Sequence, residues 1–297
     1  MSLESLKRNS GLDKLLTAVE KETAPIDKKS FVDERFWKPE LDKTGNGYAV
    51  IRFLPAPDNE DMPWSKVWSH AFQGPTGQWY IENSLTTMNG KDPVSEANTL
   101  LWNTGNEPDK ELARKRKRKL NYYSNILVVS DPKHPEHEGK VKLFKYGKKI
   151  FDKLMEAMQP QFEDESPVNP FDFWKGANFK LKIRKVDGYW NYDKSEFEKP
   201  SAVIDGDDKK LEELWHQQYS LAEFTSATNF KSYDELKERF ERVIAGTTTV
   251  GNAADLTETA PAPSVDSDTA PSVSNDTTSS DDDSENAMSY FEKLAQE

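Results

Sequence analysis

The chain has 297 residues, with 40 basic and 52 acidic side chains, a formal net charge of -12 and no cysteine. The lack of cysteine excludes disulfides and thiolate metal sites, and no apolar stretch approaches the roughly 18–20 residues of a membrane-spanning helix. The N-terminus has no apolar signal-peptide core, so we expect no membrane association and retention in the compartment of synthesis.

The charge is unevenly distributed along the chain. Residues 251–297 hold eleven acidic side chains and one lysine, which accounts for ten of the twelve excess negative charges. The remainder is nearly neutral and its cations are concentrated. Such asymmetry is typical of a nucleic-acid-binding protein or of a protein with a charged arm.

The first predicted element is a short amphipathic helix. Leu12, Leu15 and Leu16 recur at helical spacing after the basic pair Lys7-Arg8. A helix of about three turns is marginal alone in water and needs a surface to dock on. That surface belongs either to its own domain or to a neighbouring molecule, and the pattern leaves both open.

Strand and helix patterns then alternate up to residue 245. Hydrophobic alternation of period two and turn residues predict the strands, and apolar stripes of helical period predict the helices. Ser232 and Glu235 form a capping box at the start of the last helix. The predicted strands cover 48–54, 66–72, 78–81, 122–129, 140–146 and 177–186, and the predicted helices cover 93–103, 148–158, 207–217 and 233–245.

Six consecutive cations at 114–119 lead directly into the aromatic-bearing strand at 122–129. Cations collect phosphates, and flat rings offer surfaces on which unpaired bases stack. The alternative is a solvated loop or a localisation-type basic patch. The adjoining tyrosines and the acidity of the rest of the chain favour nucleic-acid binding.

The composition beyond Gly246 changes to Thr, Ser, Ala, Pro and Asp, with few large apolar residues. Such a segment cannot bury enough surface to offset its conformational entropy, which predicts disorder. Tyr290, Phe291 and Leu294 restore hydrophobicity near the tip, a pattern typical of a docking peptide. A frayed end without a partner is the alternative.

Enzyme motifs are incomplete. Gly139 and Gly147 lack the spacing of a phosphate-binding loop, and His134 and His137 do not form the metalloprotease motif H-E-x-x-H. We expect no enzymatic activity.

Several stretches in order form a recognisable set: 45–55 (GNGYAVIRFLP), 79–82 (WYIE), 124–129 (SNILVV), 138–141 (EGKV), 147–150 (GKKI) and 176–179 (GANF). In order and spacing they resemble the T-even-type bacteriophage single-stranded DNA-binding proteins, the helix-destabilising proteins of replication. The resemblance covers about residues 36–245.

The resemblance implies an α+β fold with an OB-fold β-barrel core and appended helices. It implies a self-association segment at 1–24 (Lys7, Arg8, Leu12, Leu15, Leu16), a DNA-binding core at 25–246, and a disordered acidic tail at 247–297 with the docking residues Tyr290, Phe291 and Leu294. The implied function is sequence-independent, cooperative binding of single-stranded DNA in phage replication, recombination and repair, in the cytoplasm of the infected bacterium. The implied partners are single-stranded DNA, further copies head to tail along it, and replication proteins (helicase loader, polymerase, primase-helicase) reached through the tail.

The family typically has a zinc subdomain with one histidine and three cysteines, and its counterpart here is 65–105. His70 lies where the family histidine falls, but the family's Cys-Pro-Val-Cys is Asp92-Pro93-Val94-Ser95 in this chain. One histidine without thiolates does not make a tetrahedral structural site, so we expect no zinc and no other cofactor. Trp64, Trp68, Trp79 and Tyr80 are candidates for apolar packing in its place.

The candidate DNA contacts combine the basic run with aromatic residues, some placed by the family's pattern. Strand alternation puts Tyr122 and Tyr123 on opposite faces, so one of them lines a cleft unless a bulge intervenes, and which one stays open. Core packing is the alternative for each ring. The candidates are Arg52, Trp102, Arg114, Lys115, Arg116, Lys117, Arg118, Lys119, Tyr122, Tyr123, Phe144, Tyr146, Lys148, Lys149, Tyr189 and Tyr192.

Two other kinds of protein share these features. An RNA-binding OB-fold protein uses the same stacking and phosphate contacts, because those contacts do not by themselves distinguish the sugar. An interaction adaptor in the replication machinery would use the tail and the helices alone.

Overall fold

The computed structural model describes residues 33–246 except 163 and 187. The predicted self-association segment and the predicted acidic tail lie outside the described residues. The same holds for the candidate residues within them, namely Lys7, Arg8, Leu12, Leu15, Leu16, Tyr290, Phe291 and Leu294.

Nine strands form the sheet of the described part, and most pair antiparallel. The main order is β1-β6-β5-β2-β7-β8, with β3 paired to β4 and β5, and β9 paired to β7. Only β1 and β6 pair in parallel among the recorded strand pairs. The strands are β1 (Phe36–Trp37), β2 (Gly47–Phe53), β3 (Ser65–Gln73), β4 (Trp79–Asn83), β5 (Lys119–Ser130), β6 (Val141–Tyr146), β7 (Phe179–Val186), β8 (Tyr189–Asn191) and β9 (Glu196–Phe197).

Strand β5 is the longest strand and joins three neighbours. Its first part pairs with β3, its middle with β6 and its last part with β2, all antiparallel. The strand that follows the basic run therefore organises the sheet.

Five α-helices surround the sheet in the described part: α1 (Pro93–Asn103), α2 (Glu107–Arg116), α3 (Lys148–Met158), α4 (Asp208–His216) and α5 (Tyr233–Ala245). Local sequence explains two of their starts. The Asp92 carboxylate accepts the Ser95 N–H at 2.9 Å at the start of α1, and the predicted capping box of Ser232 and Glu235 is present at the start of α5. Gly246 ends α5 in the left-handed conformation, with φ of 66°.

The core consists of three groups of apolar side chains. The largest lies between the sheet and α3 and includes Phe53, Tyr146 and Leu154. A second attaches α4 through Leu211 and Leu214. The third packs α5 against β3, β4 and α1 with the residues Phe72, Tyr80, Val94, Leu236, Phe240 and Val243. Full burial of such a side chain stabilises a fold by roughly 1.5–3 kcal/mol, so α5 is firmly held.

The predicted mixture of helices and strands is confirmed. The strict alternation in β7 is confirmed as well, because Phe179, Leu181 and Ile183 are buried while Arg184 is exposed. Helix α2 was not predicted. Its first turn holds Glu107 and Asp109 and its last turn is basic, a distribution that complements the helix dipole.

Candidate nucleic-acid interface

An exposed tryptophan and two cations meet on the helical hairpin of α1 and α2. Trp102 lies in the last turn of α1 and is 48% exposed. The Arg114 guanidinium lies 5.4 Å from the centre of its ring, and Lys110 Nζ lies 5.8 Å away. Such distances allow cation–π attraction, so the predicted candidates Trp102 and Arg114 form one surface.

The predicted basic run is not one uniform ribbon. Arg114, Lys115 and Arg116 close α2, Lys117 and Arg118 connect to the sheet, and β5 starts at residue 119. Arg114 and Lys115 are exposed and pair with carboxylates of their own helix, Glu107 and Glu111. Exposed pairs of this kind are weak because water screens them, so a phosphate can compete for these cations.

Arg116 does not occupy the exposed position expected of a DNA contact. It is 9% exposed, and its guanidinium lies 5.7 Å from the ring centre of Phe72 and 5.6 Å from that of Phe240. Burial lowers the pKa of this guanidinium from its ordinary value. The structure therefore places Arg116 in the α5 contact and not on the exposed track.

A second ring-and-cation surface lies beside the first residues of β5. The Arg118 guanidinium lies 4.3 Å from the ring centre of Trp68 in β3, and Lys66 Nζ lies 5.7 Å from the same ring. Sequence reasoning assigned Trp68 to packing and did not select Lys66. Both residues lie on one face of β3 because they are two positions apart, and this spacing is the signal that was missed.

Tyr122 and Tyr123 lie on opposite faces of β5, as the alternation predicted. Tyr122 is buried and stacks on Phe151 of α3, with ring centres 3.9 Å apart and an interplanar angle of 4°. Tyr123 is partly exposed, and it stacks on Phe224 at 4.3 Å with Lys145 Nζ 5.9 Å from its ring centre. Of the two tyrosines, Tyr123 is the more accessible.

Besides Tyr122, three other predicted ring contacts are core residues in the structure. Phe144, Tyr146 and Tyr192 are 4%, 1% and 7% exposed and belong to the main core. The Tyr146 hydroxyl is within 2.9 Å of Ser124 Oγ, and burial raises the pKa of Tyr146 well above its ordinary value. Rings enclosed in this way offer no face to a base, because each faces other core side chains.

Arg52 was predicted to contact phosphate, but it is fully buried. Its Nη2 donates to the carbonyl oxygens of Asp172 at 2.7 Å and Ser201 at 2.9 Å. Burial lowers the pKa of this guanidinium. In the structure Arg52 joins strand β2 to the segments that follow α3.

The remaining candidates lie at the surface. Lys148 and Lys149 open α3 in exposed positions, and Lys148 Nζ lies 2.9 Å from Asp152 of the same helix. Helix α3 is tied to β5 through the stacking of Phe151 on Tyr122. Tyr189 is partly exposed at the β7–β8 hairpin.

The basic side chains of β7 are partly neutralised. Lys180 pairs with Glu198 at 3.0 Å and Lys182 with Glu196 at 2.7 Å. Arg184 and Lys185 at the hairpin end are exposed, and Lys185 Nζ lies 6.0 Å from the centre of the Trp190 ring. The cationic character of this strand is therefore concentrated near the hairpin.

The segment 65–105, where the resemblance implies the counterpart of a zinc subdomain, contains a buried histidine and a buried carboxylate. His70 and Asp92 are each 1% exposed, and His70 Nε2 lies 3.2 Å from Asp92 Oδ1. Within the described residues, no three His, Cys, Asp or Glu side chains come together as a metal site would require. Of the predicted apolar residues of this region, Tyr80 packs in the α5 cluster and Trp64 in the main core.

The chain matches a family model described as gp32 DNA binding protein like over residues 45–244. It is 43% identical over 228 residues to the single-stranded DNA-binding protein of Enterobacteria phage T2, covering 75% of this chain and 74% of that protein. It is 42% identical over the same length, with the same coverage, to the single-stranded DNA-binding protein of Enterobacteria phage T4.

The chain belongs to the gp32-like family. The family resemblance predicted from the sequence is thereby confirmed. The family is one of DNA-binding proteins and not of enzymes, in agreement with the expectation of no enzymatic activity. No helix in the described part of the chain has the length and apolar character to cross a membrane.

Proposed function

We propose that this protein binds single-stranded DNA without sequence preference. One observation carries the proposal: two arginines of the basic run, one exposed and one partly exposed, lie over tryptophan rings. Arg114 lies over Trp102 and Arg118 over Trp68. Two relatives that are 42–43% identical to this chain over 228 residues are named single-stranded DNA-binding proteins, which supports the same role here.

The proposed mechanism combines contacts of cations with phosphates and stacking of bases on aromatic rings. Arg114, Lys115, Lys117, Arg118 and Lys119 neutralise phosphates, and release of counterions drives association. Bases stack on Trp68 and Trp102, because every base has a flat face and the contact does not depend on its identity. In a duplex those faces are already stacked inside the helix, so binding favours the unpaired strand.

Several finer features rest on the sequence and on membership in the family. We propose that the core is an OB-type barrel, which the antiparallel pairing of β2, β3, β5, β6 and β7 supports. We propose that residues 1–24 mediate cooperative head-to-tail association. The acidic tail at 247–297 regulates access to the cations and recruits replication proteins. The setting is DNA replication, recombination and repair in the host cytoplasm, and no zinc is involved.

A fluorescence titration of the full chain with oligo-dT tests the proposal. Quenching of tryptophan emission should saturate, and log K should fall with log salt at a slope near -3.5 if about five phosphates are neutralised. Oligo-U and duplex of equal length serve as competitors. An RNA-binding protein would prefer oligo-U, and an adaptor would show no saturation. Either result, or equal binding of duplex, would refute the proposal.

A further inference from the structure

The buried ring of His70 connects two helices to strand β3. On one side, Nε2 lies 3.2 Å from Oδ1 of Asp92, the residue that caps α1. On the other side, Nδ1 lies 2.9 Å from the carbonyl oxygen of Arg116, the last residue of α2. A carbonyl oxygen only accepts hydrogen bonds, so Nδ1 carries a hydrogen and donates it.

Asp92 is held by further donors. Ser84 Oγ donates to Oδ2 at 2.9 Å, and the Ser95 backbone N–H donates to Oδ1 at 2.9 Å. Burial alone would raise the pKa of Asp92, but His70 and these two donors outweigh it and the pKa lies below its ordinary value. The carboxylate is thus charged and satisfied without any group from outside the chain.

The donor set does not fit a structural zinc ion. Zinc of this type takes four N or S ligands. Here His70 and Asp92 are the two metal-competent side chains in contact, and no third His, Cys, Asp or Glu completes a site among the described residues. The contact of His70 Nε2 with Asp92 is close but is not a hydrogen bond, and it is an ion pair only when the ring carries a hydrogen on both nitrogens.

The end of α2 is fixed in two ways. Its backbone is held by His70 through the Arg116 carbonyl, and its side chain is held by the Arg116 guanidinium against Phe72 and Phe240. Lys117 and Arg118 follow directly, and Arg118 then reaches the Trp68 ring. The direction in which these cations leave the helix depends on where Arg116 is held.

We propose that the His70–Asp92 contact replaces the family's zinc site in this chain, and that His70 is a positioning residue for DNA binding. It acts through the Arg116 carbonyl to set the orientation of Lys117 and Arg118. The positioning role of His70 rests on the proposed function, whereas the replacement of the zinc site does not.

Two substitutions in the full chain separate the two sides of the ring. In His70→Asn the amide nitrogen replaces Nδ1, so the bond to Arg116 is kept and the Asp92 contact is lost. In His70→Gln the longer side chain places its amide nitrogen at the position of Nε2. The Asp92 contact is then kept and the bond to Arg116 is lost. His70→Gln loses the hydrogen bond to the Arg116 carbonyl, which is worth about 1 kcal/mol. If that bond orients the cations for DNA, its loss weakens oligo-dT binding about fivefold. His70→Asn should bind within about twofold of wild type, although it unfolds at a lower temperature.

Affinity is measured well below the unfolding midpoint of each variant, with circular dichroism verifying the fold. Equal affinity of His70→Gln and wild type, or equal loss in both variants, would overturn the positioning role. If His70→Gln does not fold, Asp92→Asn takes its place. It keeps the bond to Arg116, so its affinity should equal that of His70→Asn, and a fivefold loss in either would contradict the proposal.

The proposal that this chain holds no zinc is tested by a separate measurement. The thermal midpoint of the wild-type chain should be unchanged by EDTA and by one equivalent of zinc, and the purified protein should contain no stoichiometric zinc. A chelator-induced drop or bound zinc would refute this part. If the wild-type chain does not bind oligo-dT, the proposed function is wrong. The zinc measurement remains valid in that case, because it does not depend on DNA binding.

Discussion

The Arg118 guanidinium, near the end of the basic run, lies 4.3 Å from the centre of the Trp68 ring in strand β3. This pair joins a proposed phosphate contact to a proposed base-stacking surface at a single point of the fold. It therefore provides the most direct test of the proposed interface.

Trp68→Ala should weaken oligo-dT binding by about 1–3 kcal/mol, because one base loses its stacking partner. Fluorescence anisotropy of a labelled oligonucleotide measures the affinity. Trp174→Ala is a matched control, since Trp174 is 54% exposed and its ring N–H is directed toward Asp208, outside the basic surface. Equal effects of the two substitutions would argue against a site at Trp68.

Lys117→Ala should make the salt dependence shallower. Each phosphate contact to a single strand contributes about 0.7 to the slope of log K against log salt, so removal of one contact should reduce the slope by that amount. Lys210→Ala in α4 is the control, because this exposed lysine belongs to a different surface and pairs with Asp207. The slope is obtained from titrations at four or more salt concentrations. An unchanged slope for Lys117→Ala would remove Lys117 from the interface.

Arg52→Gln should destabilise the fold without changing the DNA affinity of the folded protein. The substitution removes the charged donor of two buried hydrogen bonds, which contribute about 1.5–3 kcal/mol each. Urea unfolding measures the stability, and oligo-dT titration at low urea measures the affinity. Normal stability with weakened binding would restore the phosphate-contact role that the sequence predicted.

His134 should contribute to stability in a pH-dependent way. Its Nδ1 lies 2.9 Å from Glu136 and its Nε2 lies 2.7 Å from Glu40, and these two bonds raise the pKa of His134 above 6.5. A raised pKa stabilises the fold fully below the ordinary value, and the contribution disappears as pH rises through the raised value. We expect His134→Gln to cost about 0.5 kcal/mol at pH 5.5 and close to nothing at pH 9.

Urea unfolding at the two pH values measures this difference. His216→Gln, which alters an exposed histidine at the end of α4, controls for the general effect of losing a histidine. A cost that is the same at both pH values would rule out the ion pairs as its cause.

Deletion of residues 251–297 should strengthen binding, most clearly at low salt, because the removed polyanion competes with DNA for the same cations. A chain in which the tail's Asp and Glu are replaced by Asn and Gln separates charge from length. It should behave like the deletion. No gain in affinity in either form would refute regulation by the tail.

Local patterns in the sequence were sufficient to predict much of the fold. The apolar stripe of α3 and the alternation of Phe179, Leu181 and Ile183 each reflect one buried face, which a short window of sequence reveals. The opposite orientation of Tyr122 and Tyr123 followed from the same period of two.

The burial of Arg52 and Arg116 could not be predicted from short windows of sequence. Nη2 of Arg52 donates to carbonyl groups that lie 120 and 149 positions further along the chain. Arg116 lies against Phe240, a residue of the last helix. Only the assembled fold brings these partners together, so neighbouring residues carry no sign of them.

Strand β5 has a consequence for the fidelity of folding. A shift of the strand pairing by one residue would exchange the faces of Tyr122 and Tyr123. Tyr122 would no longer stack on Phe151, and Tyr123, which now lies beside Lys145, would enter the core. Because β2, β3 and β6 all pair with this strand, the error would spread to each of them. A misaligned chain would thus lose its core and its proposed DNA-binding surface together, leaving no compact alternative that retains only one of them.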